Sequence, residues 1–302
     1  MNSLLTMLDL SKNDIFELLE LAEDMKKNKL KYSKTMKFKT LLMIFEKPSL
    51  RTRVSFQVAM SSLGGSSVVV ETQHLPLISK ESIEDTARVS SRYVDIIMAR
   101  LFDHNELEKL GAYSTVPVIN GLTNSHHPIQ IISDLLTIKE KKGSFAGLKV
   151  CYLGDGMNNV THSLIQGCAI LGIDIFVATP KELGPDPEIV MAAKNISSGK
   201  IIISDNPLEA AKDADVIYTD TWMSYHTPET EKDKRMSLLK RYQVNASIVK
   251  HAKPDYIFMN CLPAMNGYEQ TEEVFESANS AVFDQAENRL HMQKAVLLKV
   301  KK

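Results

Sequence analysis

Several large protein classes are excluded by what this sequence has little of. Only three of its 302 residues are cysteine, Cys151, Cys168 and Cys261. They cannot all pair, and their spacing frames neither a disulfide scaffold nor a zinc site. A reducing, cytoplasmic setting is therefore expected. No apolar run reaches 18 residues, and the stretch 168–179 is broken by Asp174, so no membrane span is expected. The opening Met1-Asn2-Ser3-Leu4-Leu5 lacks a basic segment followed by a long apolar one, and a secretory signal is not expected. Net charge is nearly absent too. The 36 Lys+Arg against 37 Asp+Glu leave a charge of −1, which argues against the broad basic surface of a nucleic-acid binder. With 24% charged and 44% hydrophobic residues the chain has the composition of a folded globular protein. It has no low-complexity tract and no fixed repeat, which excludes a solenoid.

What is present is alternation. Apolar, β-type runs at 40–45, 67–71, 95–99 and 116–119 read as strands. Between and around them, 53–63, 81–93 and 129–141 read as helices, as does the opening segment, where Ser11 can cap a turn followed by Ile15, Leu18, Leu19, Ala22 and Met25. A second block repeats the scheme, with strands at 149–153, 173–178, 200–203, 216–219 and 256–259. Its helices are expected at 159–171, 187–193 and 208–212. The pattern predicts an α/β chain of two doubly wound parallel-sheet domains of similar size, joined by interdomain helices. The domains are expected at 1–140 and 145–284, with a last helix over 286–302 packing back on the first. In such sheets ligands sit beyond the carboxyl ends of strands, so the chemistry is sought in the loops that follow them.

Those loops carry distinctive residues. Pro48-Ser49-Leu50-Arg51-Thr52-Arg53 joins a strand to a helix, and helix-start amides, two hydroxyls and a guanidinium make an anion pocket. A capped helix with arginines in water is the plainer alternative. The loop lacks the Gly-Lys pattern of nucleotide triphosphatases, which favours a small phosphate over ATP. Arg100 ends an apolar strand. His126-His127-Pro128-Ile129-Gln130 opens a helix with His127 and Gln130 one turn apart, and no Glu or Cys at ligand spacing accompanies the histidines, so no metal is expected. Gly154-Asp155-Gly156-Met157-Asn158-Asn159 is half of a dinucleotide fingerprint without its third glycine. Its asparagines suit a small carboxylate. Asp220, just before the single tryptophan Trp222, can receive an ammonium group or simply cap a helix. Cys261 ends another strand, where a small buried hydrophobe is the commoner role, and Arg289 opens the last helix.

Taken in order, these segments resemble the transcarbamylase (aspartate/ornithine carbamoyltransferase) family, and most closely its ornithine-type members. The resemblance runs from Leu8-Asp9-Leu10-Ser11 to Glu287-Asn288-Arg289-Leu290-His291. It implies an enzyme in which an amine attacks the carbonyl carbon of carbamoyl phosphate, without metal or organic cofactor. By resemblance, Ser49, Leu50, Arg51 and Thr52 bind the phosphate. Arg100, His127 and Gln130 hold the carbamoyl group, with Cys261, Leu262 and Arg289 completing that site. Catalytic roles fall to Arg100, His127, Cys261 and Arg289, while Asn159, Asp220, Ser224 and Tyr225 bind L-ornithine or a related amine. A homotrimer, or a multiple of it, is also implied.

Departures from the family pattern cluster on the acceptor side. Leu50 replaces a threonine of Ser-Thr-Arg-Thr-Arg, and Pro76 lies in a loop that usually carries Gln and Gly. Ser224-Tyr225-His226 stands where Ser-Met-Gly is common, and Asn260-Cys261-Leu262-Pro263 stands for His-Cys-Leu-Pro. A modified acceptor, or a carbamoyl phosphate-binding relative without turnover, is therefore the alternative expectation.

Overall fold

The computed structural model describes residues 2–72, 81–223 and 228–300. The chain divides into two units, Met1–Leu136 with Glu287–Lys302, and Thr137–Ala286. Each is built on one parallel sheet flanked by helices.

The first unit runs through α1 (Lys12–Lys27), β1 (Thr40–Phe45), α2 (Leu50–Ser62), β2 (Ser66–Glu71), α3 (Ile83–Ser90), β3 (Ile96–Arg100), α4 (His104–Tyr113), β4 (Val118–Leu122) and into α5 (Pro128–Lys142). Its strands lie in the order β2-β1-β3-β4. Residues 41–45 and 96–100 are all buried, because helices cover both faces, and such strands read as unbroken apolar runs. Ser11 caps α1 in a box with Asp14, whose carboxyl the Ser11 hydroxyl and amide hold below its usual value. The helix expected over 53–63 begins earlier, at Leu50, because the Ser49 hydroxyl accepts from the Thr52 amide and sets the cap there. The sequence reading also passed over α4, which buries only Leu107 and Leu110.

The second unit follows with β5 (Lys149–Leu153), α6 (Asn159–Leu171), β6 (Asp174–Ala178), α7 (Pro187–Ile196), β7 (Ile201–Ser204), α8 (Pro207–Ala211), β8 (Val216–Thr219), α9 (Lys232–Leu239), α10 (Ala246–Val249), β9 (Ile257–Asn260) and α11 (Glu272–Phe275). Its order is β7-β6-β5-β8-β9. The closing helix α12 (Val282–Val300) and α5 each contain a boundary between the units. Within the first unit, α12 is held by Lys26 Nζ donating to Asn288 Oδ1 at 2.8 Å, by a Lys299–Glu17 ion pair, and by buried Met292, Ala295, Val296 and Val300. Among the described residues no helix is long and apolar enough to cross a membrane.

In both sheets the strand order reverses at one point, between β1 and β3 and between β5 and β8. At such a point the two following loops diverge to opposite faces and leave a crevice. The register makes the crevices specific. Phe45 lies opposite Arg100 across the first reversal, and Tyr152 lies opposite Tyr218 across the second.

Candidate functional site

The first crevice gathers cations. After β1 the chain passes Glu46, whose amide donates to the Arg100 carbonyl at 2.9 Å, and turns into α2 at Ser49. The first-turn amides of α2 have no carbonyl behind them and face any anion set there. Arg100 ends β3 with its side chain buried. Arg289, from α12, donates from Nη2 to the Thr52 hydroxyl at 2.9 Å. Thr52 is thus oriented by one cation of the set, and Ser49 is engaged in capping. Leu50 is 77% exposed, so it can serve this site through its backbone only.

His127 lies at the centre of this charge. Burial first, then the positive charges of Arg289, Arg100, Arg51 and Lys47, push its pKa well below the ordinary imidazole value. The ring is neutral at pH 7 and can donate one hydrogen bond without adding a charge. One turn on, Gln130 Nε2 donates to Asp134 Oδ1 at 2.9 Å, which fixes the amide. Its buried Oε1 has no hydrogen-bond partner among the described residues, an acceptor suited to an N–H of a bound group.

Lys47, between β1 and the Pro48 loop, is not among the residues expected in the site. Its side chain is buried, donates to Asn124 Oδ1 at 2.6 Å and lies 4.3 Å from the centre of the Phe102 ring. Burial, then the Arg100 charge, lowers its pKa to about 7. Its place beside the strand-order reversal was the signal that could have found it.

The second crevice is built around carboxylates. Gly154 turns the chain after β5 at φ 131°, where a Cβ would come within 3.2 Å of Trp222 Nε1. Asn158 then caps α6, its Oδ1 accepting from the Thr161 amide at 2.8 Å and its Nδ2 donating to the Tyr152 hydroxyl at 2.9 Å. Asn159 is therefore the first residue of α6, one past the cap. Asp220 is buried after β8, and Cys261 after β9 places its thiol 3.0 Å from Asp220 Oδ1 as donor. Leu262 has φ 58°, and the Leu262–Pro263 peptide is cis.

Two further residues stand here: Asp155, met in the sequence only as part of the glycine turn, and Arg235, which left no local signal. They form a buried ion pair, and Arg235 Nε also donates to the Trp222 carbonyl at 3.1 Å. The pair fastens α9 and the segment after β8 to the turn after β5. Arg235→Leu is expected to cost about 3–5 kcal/mol in urea unfolding at pH 7, because it leaves a buried carboxylate without its partner. Burial already holds the Asp155 carboxyl above its ordinary 3.8 despite Arg235. The folded variant will bind that proton more tightly than the unfolded chain, so its deficit grows as pH rises above that value. An equal deficit at pH 4.5 and pH 8 would contradict the assignment.

The expected residues thus fall in two sets. Ser49, Leu50, Arg51, Thr52, Arg100, His127, Gln130 and Arg289 belong to the first unit. Asn159, Asp220, Cys261 and Leu262 belong to the second. Pro76, Ser224, Tyr225 and His226 lie outside the described residues. Asn260 is fully buried and its side chain bonds to the protein's own backbone and amides. No group of three or more His, Cys, Asp or Glu among the described residues is arranged to hold a metal ion.

Two parallel sheets, each with polar side chains gathered at its strand-order reversal, define an α/β protein that binds small ligands beyond its strand ends. Comparison makes this specific. Residues 2–140 match the aspartate/ornithine carbamoyltransferase carbamoyl-P binding domain, and residues 146–300 match the Asp/Orn binding domain of the same family. The anabolic ornithine carbamoyltransferase of Pyrococcus furiosus is 50% identical over 299 residues, 97% of this chain and 94% of that protein. The ornithine carbamoyltransferase of Bacillus subtilis is 50% identical over 297 residues, covering 97% and 92%. A solved structure of ornithine carbamoyltransferase from Pyrococcus furiosus superposes with a TM-score of 0.94, over 98% of this chain and 96% of that one. The chain belongs to the aspartate/ornithine carbamoyltransferase family.

Proposed function

We propose that the protein transfers the carbamoyl group of carbamoyl phosphate to the side-chain amine of L-ornithine, giving citrulline and phosphate. The observation that carries this is the convergence of Arg51, Arg100, Arg289 and Lys47 on a neutral, buried His127 at a helix start. A phosphate dianion suits that charge. Ser49, Thr52, Arg51 and the first amides of α2 take the phosphate, with Arg289 closing on it. The carbamoyl oxygen is held by Arg100 and His127, and the carbamoyl NH2 donates to Gln130 Oε1.

As the amine lone pair adds to the carbonyl carbon, the C=O electrons move to oxygen. Arg100 and His127 stabilise that oxyanion where it forms. Its collapse breaks the bond between carbon and the phosphate oxygen, and the amine proton leaves to the departing phosphate or to solvent. Asn159, Asp220, Ser224 and Tyr225 hold the amino-acid end of ornithine, with Cys261 and Leu262 next to Asp220 in sequence order of the strands. Nothing in this scheme requires a cofactor.

Incubation with carbamoyl phosphate and a panel of amines, followed by assay of phosphate and ureido product, tests the reading. Citrulline from ornithine supports it. Product from another amine alone would move the acceptor, and donor binding with no turnover on any amine would overturn it.

Lys47 adds a pH dependence. Bound phosphate favours its protonated form, so affinity for carbamoyl phosphate is expected to fall as pH rises through about 7. Calorimetry at pH 8 in buffers of different ionisation enthalpy should register uptake of up to about one proton. Lys47→Met should abolish that uptake.

We further propose a homotrimer in the cytoplasm. Leu50, Val54 and Val58 recur every fourth residue on α2 and are 77%, 48% and 46% exposed, an apolar stripe that a second copy would cover. Val54→Asp is expected to shift the sedimenting mass from three chains to one. An unchanged mass would remove this face from the assembly.

A further inference from the structure

The turn that carries Cys261 is held by a chain of side-chain amides. Asn260, fully buried at the end of β9, takes the Leu262 amide on Oδ1 at 2.8 Å. Its Nδ2 donates to Gln270 Oε1 at 3.1 Å. Gln270, also fully buried, donates in turn from Nε2 to Asn266 Oδ1 at 2.9 Å. Asn260 and Gln270 each both accept and donate, which a carboxylate or a thioether of the same length cannot do.

The far end of the chain is anchored as well. The Met265 amide donates to Glu269 Oε1 at 2.7 Å, and Gln243 Nε2 donates to the carbonyls of Gly267 and Tyr268 at 2.9 and 3.0 Å. The Val244 amide donates to the Glu269 carbonyl at 2.9 Å. On the other side the Asn260 amide donates to Gln285 Oε1 at 3.0 Å, and Gln285 Nε2 donates to the Tyr218 hydroxyl at 3.1 Å. The turn therefore sits between two fixed frames. Leu262, a non-glycine residue at φ 58°, keeps that backbone only while its surroundings impose it. The Leu262 amide bond to Asn260 is part of that imposition, and Gln270 sets the orientation of Asn260.

We propose that Gln270 is a positioning residue of the acceptor site: through Asn260 it holds the Cys261–Leu262 turn so that the Cys261 thiol stays on Asp220. Its effect on turnover rests on the carbamoyl-transfer reading above; its effect on the thiol does not. Cys261 is half-buried, whereas Cys151 and Cys168 are fully buried. Burial also pushes the Cys151 thiol up to about 12 and raises Cys168 further, so alkylation of the native protein reports on Cys261.

Gln270→Met keeps the length and removes both hydrogen bonds. It is expected to raise the KM for ornithine about tenfold, with kcat within about threefold and the Kd of carbamoyl phosphate within about twofold. Alkylation of Cys261 by iodoacetamide, without substrates, should accelerate at least about fivefold as the thiol leaves Asp220. Unchanged KM and alkylation rate would overturn the proposal, as would an equal loss for both substrates. Should Gln270→Met not fold, Asn266→Ala decides. It removes only the exposed anchor of the chain and should move the same two quantities in the same direction, and no movement in either would overturn the proposal. A parent protein that makes no citrulline would defeat the carbamoyl-transfer reading, while the alkylation comparison would still test Gln270.

Discussion

Arg51→Ala is expected to weaken carbamoyl phosphate binding by about 10²–10³-fold without lowering the stability of the empty protein. Arg51 stands at the second position of α2, half-buried, and its charge acts on His127 together with those of Arg289, Arg100 and Lys47. The variant keeps the helix-start amides and the other cations. What it loses is one charge-assisted, two-pronged contact to phosphate, and truncating one partner of such a pair costs about 3–4 kcal/mol. The empty site behaves oppositely. Four like charges crowd one crevice, so removing one relieves repulsion, and the melting temperature should hold or rise. Saturating carbamoyl phosphate stabilises the parent by about 2.7 kcal/mol at a hundred times Kd. In the variant the same concentration should give almost no thermal shift. Calorimetry and thermal unfolding with and without ligand check both signs, and an unchanged affinity would remove Arg51 from the phosphate site.

How much of this was legible in the sequence depends on what each residue contacts. Strands β1, β3, β5 and β8 were readable because burial on both faces leaves uninterrupted apolar runs. Residues that follow such strands directly were readable for the same reason. Ser49, Arg51, Arg100, Asp220 and Cys261 each stand within a few positions of a strand end; the ends of β1 and β3 are neighbours in one sheet, and those of β8 and β9 in the other. Helix α9 was not legible, since among Lys232–Leu239 only Leu239 is buried and no apolar period exists to detect. The Arg235–Asp155 pair joins positions 80 residues apart, a spacing that no local pattern encodes. Lys47 shows a third kind of loss. A lysine in a Glu-Lys-Pro turn reads as solvated, and only the packing of Phe102 and Asn124 around it shows that it is not. Asn260 is a fourth. By resemblance it is an altered acceptor-side residue, whereas its side chain is directed into the amide chain that fixes the Cys261 turn.

Asp220→Asn is expected to lower kcat/KM for ornithine by about 10²-fold, mostly through KM, with carbamoyl phosphate affinity unchanged. The register of β8 on β9 sets Thr219 opposite Asn260, so the residues that follow, Asp220 and Cys261, meet at 3.0 Å. Asp220 is buried and takes the Cys261 thiol on Oδ1, and a carboxylate placed there suits an amino-acid ammonium group through a charge-assisted bond. Replacing it with an amide preserves shape and removes the charge-assisted bond, worth about 1.5–3 kcal/mol, or about one to two decades in binding. The unliganded protein should hold its stability, because the amide keeps the shape and its oxygen still accepts from the Cys261 thiol. The substitution also has a spectroscopic signature. Burial first, with Asp220 contributing its charge, pushes the Glu269 carboxyl up to about 7. Without the Asp220 charge that carboxyl should titrate at lower pH, which 13C NMR of the labelled side chain can follow. A variant that loses ornithine affinity, keeps its stability and lowers the Glu269 titration together would fix Asp220 as the charge that the acceptor ammonium meets. A loss of affinity accompanied by lower stability would instead make Asp220 a support for the turn after β9.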